Sequence, residues 1–158
     1  MRSRKLALLS IVAALGVVGA ACSGSSPGGG ASPSASPSAG ASGGAEGTIT
    51  INGEKANNHG SKDVSGASSL ELEADNDGNN YYFNPTVLTG KPGQKLTLTV
   101  KNEGNTPHNF SLVSGGVSKD VQPGDEATVT VTFPSSGDME FFCRFHRSLG
   151  MVGELTTS

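Results

Sequence analysis

A thiol, an imidazole and a thioether crowd into one short stretch near the end of the chain, Cys143-Arg-Phe-His146-Arg-Ser-Leu-Gly-Met151. Soft sulfur donors combined with imidazole suit copper, and two His, one Cys and a long axial Met make the trigonal site of blue-copper electron transfer. The stretch holds three of those four donors. The second imidazole must come from elsewhere, and only His59 and His108 remain. Zinc is the poorer match, because its usual donors are thiolate, imidazole and carboxylate.

Donors of this kind need rigid supports, and the surrounding chain predicts strands. Met139-Glu-Phe-Phe142 leads directly into Cys143. Period-two alternation marks Leu70-Glu-Leu-Glu73, Lys95-Leu-Thr-Leu-Thr-Val100, Ala127-Thr-Val-Thr-Val-Thr-Phe133 and Gly153-Glu-Leu-Thr-Thr157. Tyr81-Tyr-Phe83 and Phe110-Ser-Leu-Val113 are further apolar candidates, and the Pro-Gly pairs at 92–93 and 123–124 predict turns. No segment of ten residues carries a helical period. The expectation is an all-β sandwich of seven to eight strands. Residues 48–66 are rich in Gly and Asn and predict at most one strand, around Thr48–Ile51.

The first 47 residues predict no part of that sandwich. Residues 1–21 have a basic start (Arg2, Arg4, Lys5), an apolar run from Leu6 to Val18 and a small-residue end, the pattern of an export signal. Cys22 follows directly and is the expected lipid-accepting residue, although Gly19 stands where a Leu-like side chain is usual three positions earlier. Residues 22–47 are that Cys and a Ser/Gly/Ala/Pro tract, too poor in apolar surface to offset its ordering entropy. As a flexible tether it would span about 25–30 Å. Residues 48–158 are then one domain.

Outside the signal the chain carries 8 basic and 14 acidic side chains, a net charge of −6. That charge argues against nucleic acid and offers no basic patch to anionic lipid. With Cys22 beyond the tether, a Cys22–Cys143 disulfide would join a disordered end to a strand terminus, so Cys143 is expected unpaired. An unpaired thiol in an oxidising compartment calls for a cap, and a metal is one.

Asn102-Glu-Gly-Asn-Thr-Pro-His-Asn-Phe110 resembles the stretch that delivers the first His ligand in the plastocyanin-type cupredoxins. Phe141-Phe-Cys-Arg-Phe-His-Arg-Ser-Leu-Gly-Met-Val-Gly153 resembles the Cys-x-x-His-x-x-x-x-Met ligand loop of the same family. The similarity extends over about residues 70–157 and includes Phe83-Asn-Pro85 and Pro92-Gly93. It implies a cupredoxin-like Greek-key β-sandwich holding one mononuclear type 1 copper on His108, Cys143, His146 and Met151. It also implies that Asn109 hydrogen-bonds around the thiolate sulfur. Phe145 stands where plastocyanins usually carry Pro, and Phe142 where Tyr often precedes the ligand Cys. Arg147 resembles a partner-docking residue of cyanobacterial members. Phe145 and Leu149, with Gly150, are expected to ring the exposed edge of His146.

The remaining candidates have plainer roles. His59, in Asn57-Asn-His-Gly60, predicts a solvated loop residue, and Phe110, Phe133, Phe141 and Phe142 predict core. Asn109-Phe-Ser111 matches a glycosylation sequon that a bacterial-type signal argues against. A copper oxidase or nitrite reductase needs further His ligands for its second centre, and three His in all cannot complete one. The expected function is therefore one-electron transfer, not catalysis. The chain would be a monomer lipid-anchored at the outer face of the cytoplasmic membrane, meeting redox proteins transiently. Copper delivery, storage or resistance is the alternative that the same soft donors would serve.

Overall fold

The computed structural model describes residues 46–158, so the export signal, Cys22 and nearly all of the tether lie outside the described residues. Twelve strands run in chain order. They are β1 Gly47–Ile51, β2 Glu54–Asn58, β3 Ser61–Asp63, β4 Ser69–Asp77, β5 Asn80–Asn84 and β6 Val87–Gly90. Then come β7 Lys95–Asn102, β8 His108–Leu112, β9 Ser118–Val121, β10 Glu126–Thr132, β11 Asp138–Phe142 and β12 Val152–Thr157. Among the described residues the one helical element is a 3₁₀ turn, Arg147–Leu149.

The alternating segments become strands for the expected reason. In β7 every second side chain is buried, Leu96, Leu98, Val100 and Asn102, while the intervening Thr and Lys residues face outward. A sheet ordered β10-β7-β4-β5 packs against one ordered β3-β6-β12-β11-β8-β9. One apolar cluster joins them: Leu72, Leu96, Leu98, Val129 and Val131 from the first meet Leu88, Phe110, Phe141 and Leu155 from the second. Beneath the upper end of this core Phe83, Phe110 and Phe141 form a triad with centroid separations of 5.2–6.1 Å. Each such pair contributes about 0.5–1.5 kcal/mol beyond the area it buries.

The all-β sandwich matches expectation, but the strand number does not. Residues 47–63 form three strands where at most one was expected. The β1–β2 hairpin is a sheet of its own, closed by Asn52 and Gly53 at φ 49° and 85°. Positive φ at both central residues is the twist-matched two-residue hairpin turn that Asn-Gly favours. The β2 sequence Glu-Lys-Ala-Asn-Asn has no apolar alternation, so the usual strand signal is absent.

Candidate metal centre

Two pieces of chain converge at one end of the sandwich. The first is the turn before β8. Asn102 is buried at the end of β7, and its Nδ2 donates to the Thr106 and Val121 carbonyls, both at 2.9 Å, while its Oδ1 accepts from the Gly104 N–H at 3.0 Å. That folds the turn tightly enough to place His108 on the first position of β8. A Cβ at Gly104 would lie 2.9 Å from His108 Nε2, so only Gly lets the backbone pass this close to the imidazole. His108 is fully buried, and neither ring nitrogen has a hydrogen-bond partner. Burial, followed by the neighbouring His146, pushes its pKa down to about 4. The ring is neutral at pH 7, with a lone pair free.

The second piece is the loop between β11 and β12. Its own backbone closes it: Cys143 N–H donates to Met151 O at 3.0 Å, His146 N–H to Cys143 O at 3.1 Å, and Met151 N–H to His146 O at 3.2 Å. Gly150 ends the 3₁₀ turn at φ 94°, a left-handed conformation that favours glycine. Cys143 and Met151 are fully buried side chains of the main core. Cys143 Sγ accepts the Asn109 backbone N–H at 3.3 Å and lies 3.5 Å from His146 Nδ1. Burial raises the thiol pKa, and backbone N–H groups of Phe145, Asn109 and His146 oppose that rise. A bound cation would displace the proton outright.

One donor atom each from His108, Cys143 and His146 can be chosen with all three within 4.8 Å of one another. One ring nitrogen of buried His108, which has no partner, the His146 Nδ1 that lies 3.5 Å from Cys143 Sγ, the buried thiol and the buried Met151 thioether are donors without a common partner. One soft cation satisfies them together. The residues fit copper.

Around the donors, aromatic rings fix orientation. His146 is half-buried and stacks on Tyr81 at a centroid distance of 3.9 Å and 12° between planes. His108 meets His146 edge-on at 5.2 Å. The Asn109 side chain pins the start of the loop: Nδ2 donates to Asp120 at 2.7 Å and Ser118 at 3.2 Å, and Oδ1 accepts from the Ser111 hydroxyl at 2.6 Å and the Arg144 N–H at 3.4 Å.

The residues expected to meet a partner divide into two kinds. Phe145 and Leu149 are 45% and 50% exposed beside His146, whereas Gly150 is buried. Arg147 is partly exposed and ion-paired within the chain. Its Nε and Nη2 each lie 2.8 Å from a Glu54 oxygen, and Nη2 is also 2.7 Å from Glu140 Oε1, an ion-pair contact without hydrogen-bond alignment. Its guanidinium carbon sits 4.4 Å over the Phe142 ring. Intramolecular carboxylates thus offset the charge of this residue, whose expected role is partner docking. His59 is less solvated than expected. It stacks on Tyr82 at 3.4 Å and its Nε2 lies 3.3 Å from Asn80 Nδ2. Tyr81, Asn57, Glu54 and Glu140 also serve the centre, a part that no motif in the sequence marks. For the hairpin residues Asn52-Gly53 was the usable signal.

Fold and site together define a β-sandwich with the His₂Cys donor set and neighbouring Met of a type 1, blue-copper electron-transfer centre. Residues 57–157 match the cupredoxin-like domain family, and the chain belongs to it. It is 33% identical over 98 residues to plastocyanin A/B of Petroselinum crispum, covering 56% of this chain and 99% of that one. It is 35% identical over 105 residues to the chloroplastic plastocyanin of Oryza sativa subsp. indica, covering 59% of this chain and 66% of that one. Among solved structures, the dithionite-reduced auracyanin of the photosynthetic bacterium Roseiflexus castenholzii aligns with TM-score 0.49 at 25% identity, over 58% of this chain and 98% of that one.

Proposed function

We propose that the protein is a membrane-tethered one-electron carrier, working outside the cytoplasm between redox proteins. The carrying observation is the convergence of His108, Cys143 and His146 within 4.8 Å in a buried, pre-closed site. Bound copper supplies the one-electron couple. The chain supplies rigidity: the thiol, the carbonyls of Cys143, His146 and Met151 and the His146 ring are each held by contacts that need no metal. Little has to move when the charge changes, which keeps reorganisation small. Burial of His108, Cys143 and Met151 excludes water, leaving the half-exposed edge of His146 as the way in for an electron.

Phe145 and Leu149 supply the apolar rim at that edge, the kind of small contact that suits transient redox encounters. Cys22 as lipid anchor and the Ser/Gly/Pro tract as tether rest on sequence pattern. The deep burial of His108 and Cys143 favours a carrier over a copper-delivery protein, whose ligands must be reached by an acceptor.

The test is an optical and paramagnetic-resonance spectrum of the purified protein with Cu(II), followed by redox titration. Intense visible thiolate-to-copper absorption, narrow copper hyperfine splitting and a reversible midpoint potential are expected. Colourless copper-loaded protein, or copper passing readily to an acceptor while electron exchange is slow, overturns the reading. Membrane tethering is checked separately: Cys22→Ala should move the protein from the membrane fraction to the soluble one.

A further inference from the structure

We propose that the β1–β2 hairpin is a brace for the copper loop, with Asn57 and Glu54 as positioning residues that set how firmly the site holds its metal. The inference rests on the copper reading above. Three kinds of contact converge. Asn57 is buried, its Nδ2 donates to Leu149 O and Tyr81 O, both at 2.9 Å, and its backbone N–H donates to Gly150 O at 2.9 Å. One residue of β2 therefore holds the two loop carbonyls just before Met151. It also ties them to the strand whose Tyr81 stacks on His146. The approach is close enough that a Cβ at Gly150 would come within 2.8 Å of the Asn57 amide.

Glu54 grips the same loop through the paired 2.8 Å hydrogen bonds to Arg147, the residue after His146. A small apolar cluster of its own adds to the two polar contacts. Ile51 and Ala56 of the hairpin bury Val152, with Phe142 packed beside them. Phe142 immediately precedes Cys143 and Val152 immediately follows Met151, so the hairpin covers both feet of the loop. A ligand loop closed only by its own backbone bonds can open as a unit. One bound from outside at positions 147, 149 and 150 must break those contacts first.

The test uses the full chain in detergent, loaded with Cu(II), and follows decay of the visible band on mixing with excess chelator. Asn57→Asp keeps size and acceptor but cannot donate and sets a negative charge against two carbonyls. Of its two lost hydrogen bonds the one to Leu149 O holds the loop, so it should release copper about tenfold faster, the scale of that bond, and alter the paramagnetic-resonance spectrum. Glu54→Ala, at the partly exposed rim, should release it about threefold faster, the lower end of one hydrogen bond's worth. Val129→Ala in β10 is the control for a general loss of stability: it should lower the thermal midpoint yet leave release rate and spectrum as in the wild type. Release at the wild-type rate by both hairpin variants overturns the brace, as does acceleration no greater than that of Val129→Ala. If Asn57→Asp fails to fold, the Glu54→Ala rate decides alone, in either direction. A wild-type protein without the band would instead sink the copper assignment and leave the brace with nothing to hold.

Discussion

Two neighbouring tyrosines on one strand each stack on a histidine, and only one of those histidines belongs to the metal centre. Tyr81 lies 3.9 Å from His146 at 12°, and Tyr82 lies 3.4 Å from His59 at 10°. Consecutive side chains of a strand point to opposite faces, so the adjacent residues of β5 serve separate environments. On one face His146 meets Cys143 and His108 over an apolar core. On the other, His59 meets Asn80 and, at 3.8 Å, the exposed Glu46, while Tyr82 donates to Asp75 at 3.0 Å. The ring pair is the same. A stack orients an imidazole but does not make it a ligand; the converging sulfur and second imidazole do.

The largest effect that separates the two faces comes from the donors. Cys143→Ser should abolish the visible band and weaken copper binding by more than about 100-fold, beyond the 10–100-fold typical of losing an outer partner. His59→Gln should leave both unchanged. Absorption and competition with a chelator of known affinity measure this, and loss of the band in His59→Gln would erase the distinction between the stacks.

The stacking rings themselves come next. Tyr81→Ala frees one face of His146 and should speed copper release about tenfold, as for an outer partner of a ligand. Tyr82→Ala, which loses both the stack and the hydrogen bond to Asp75, should cost folding stability of about 1–3 kcal/mol, with no change in release. Chemical denaturation of the metal-free proteins together with chelator-driven release places each variant on both axes. Equal release rates for the two would mean that Tyr81 acts through stability alone.

What could be foreseen follows from how each contact is encoded. Strands β4, β7, β10 and β12 announce themselves by alternation, because one face of each is buried in a shared core. His108, Cys143, His146 and Met151 stood out because metal chemistry restricts residue type and the loop restricts spacing. The β1–β2 hairpin carries that alternation only in β1, Thr-Ile-Thr-Ile, and no metal chemistry at all. Its β2 is polar, the apolar cluster it joins has three buried residues, and its work is done by an amide reaching a carbonyl 92 residues away. Any residue presents a carbonyl, so the partner sequence holds no mark of the contact. The ion pairs of Arg147 are hidden for a related reason, since Glu54 lies 93 residues away in sequence.

The smallest predicted effect sharpens the comparison from the non-metal side. Burial, then the hydrogen bond to Asp75 and the surrounding carboxylates, push the Tyr82 hydroxyl up to about 12. An unfolded tyrosine ionises near about 10. The folded value is the higher one, so the neutral hydroxyl contributes stability that is complete below about pH 10 and is lost as pH climbs through about 12. Tyr82→Phe has no proton to lose. It should be less stable than the wild type by about 0.5–1.5 kcal/mol at pH 8, the cost of one hydrogen bond, and the gap should narrow above pH 10. Lysines titrate alike in both proteins and cancel in the difference. Denaturation midpoints at pH 8, 10 and 11.5 test it. Curves that stay parallel across that range would mean that Tyr82 ionises as freely folded as unfolded, and that the His59 face lacks the buried, acidic character that sets it apart from the metal face.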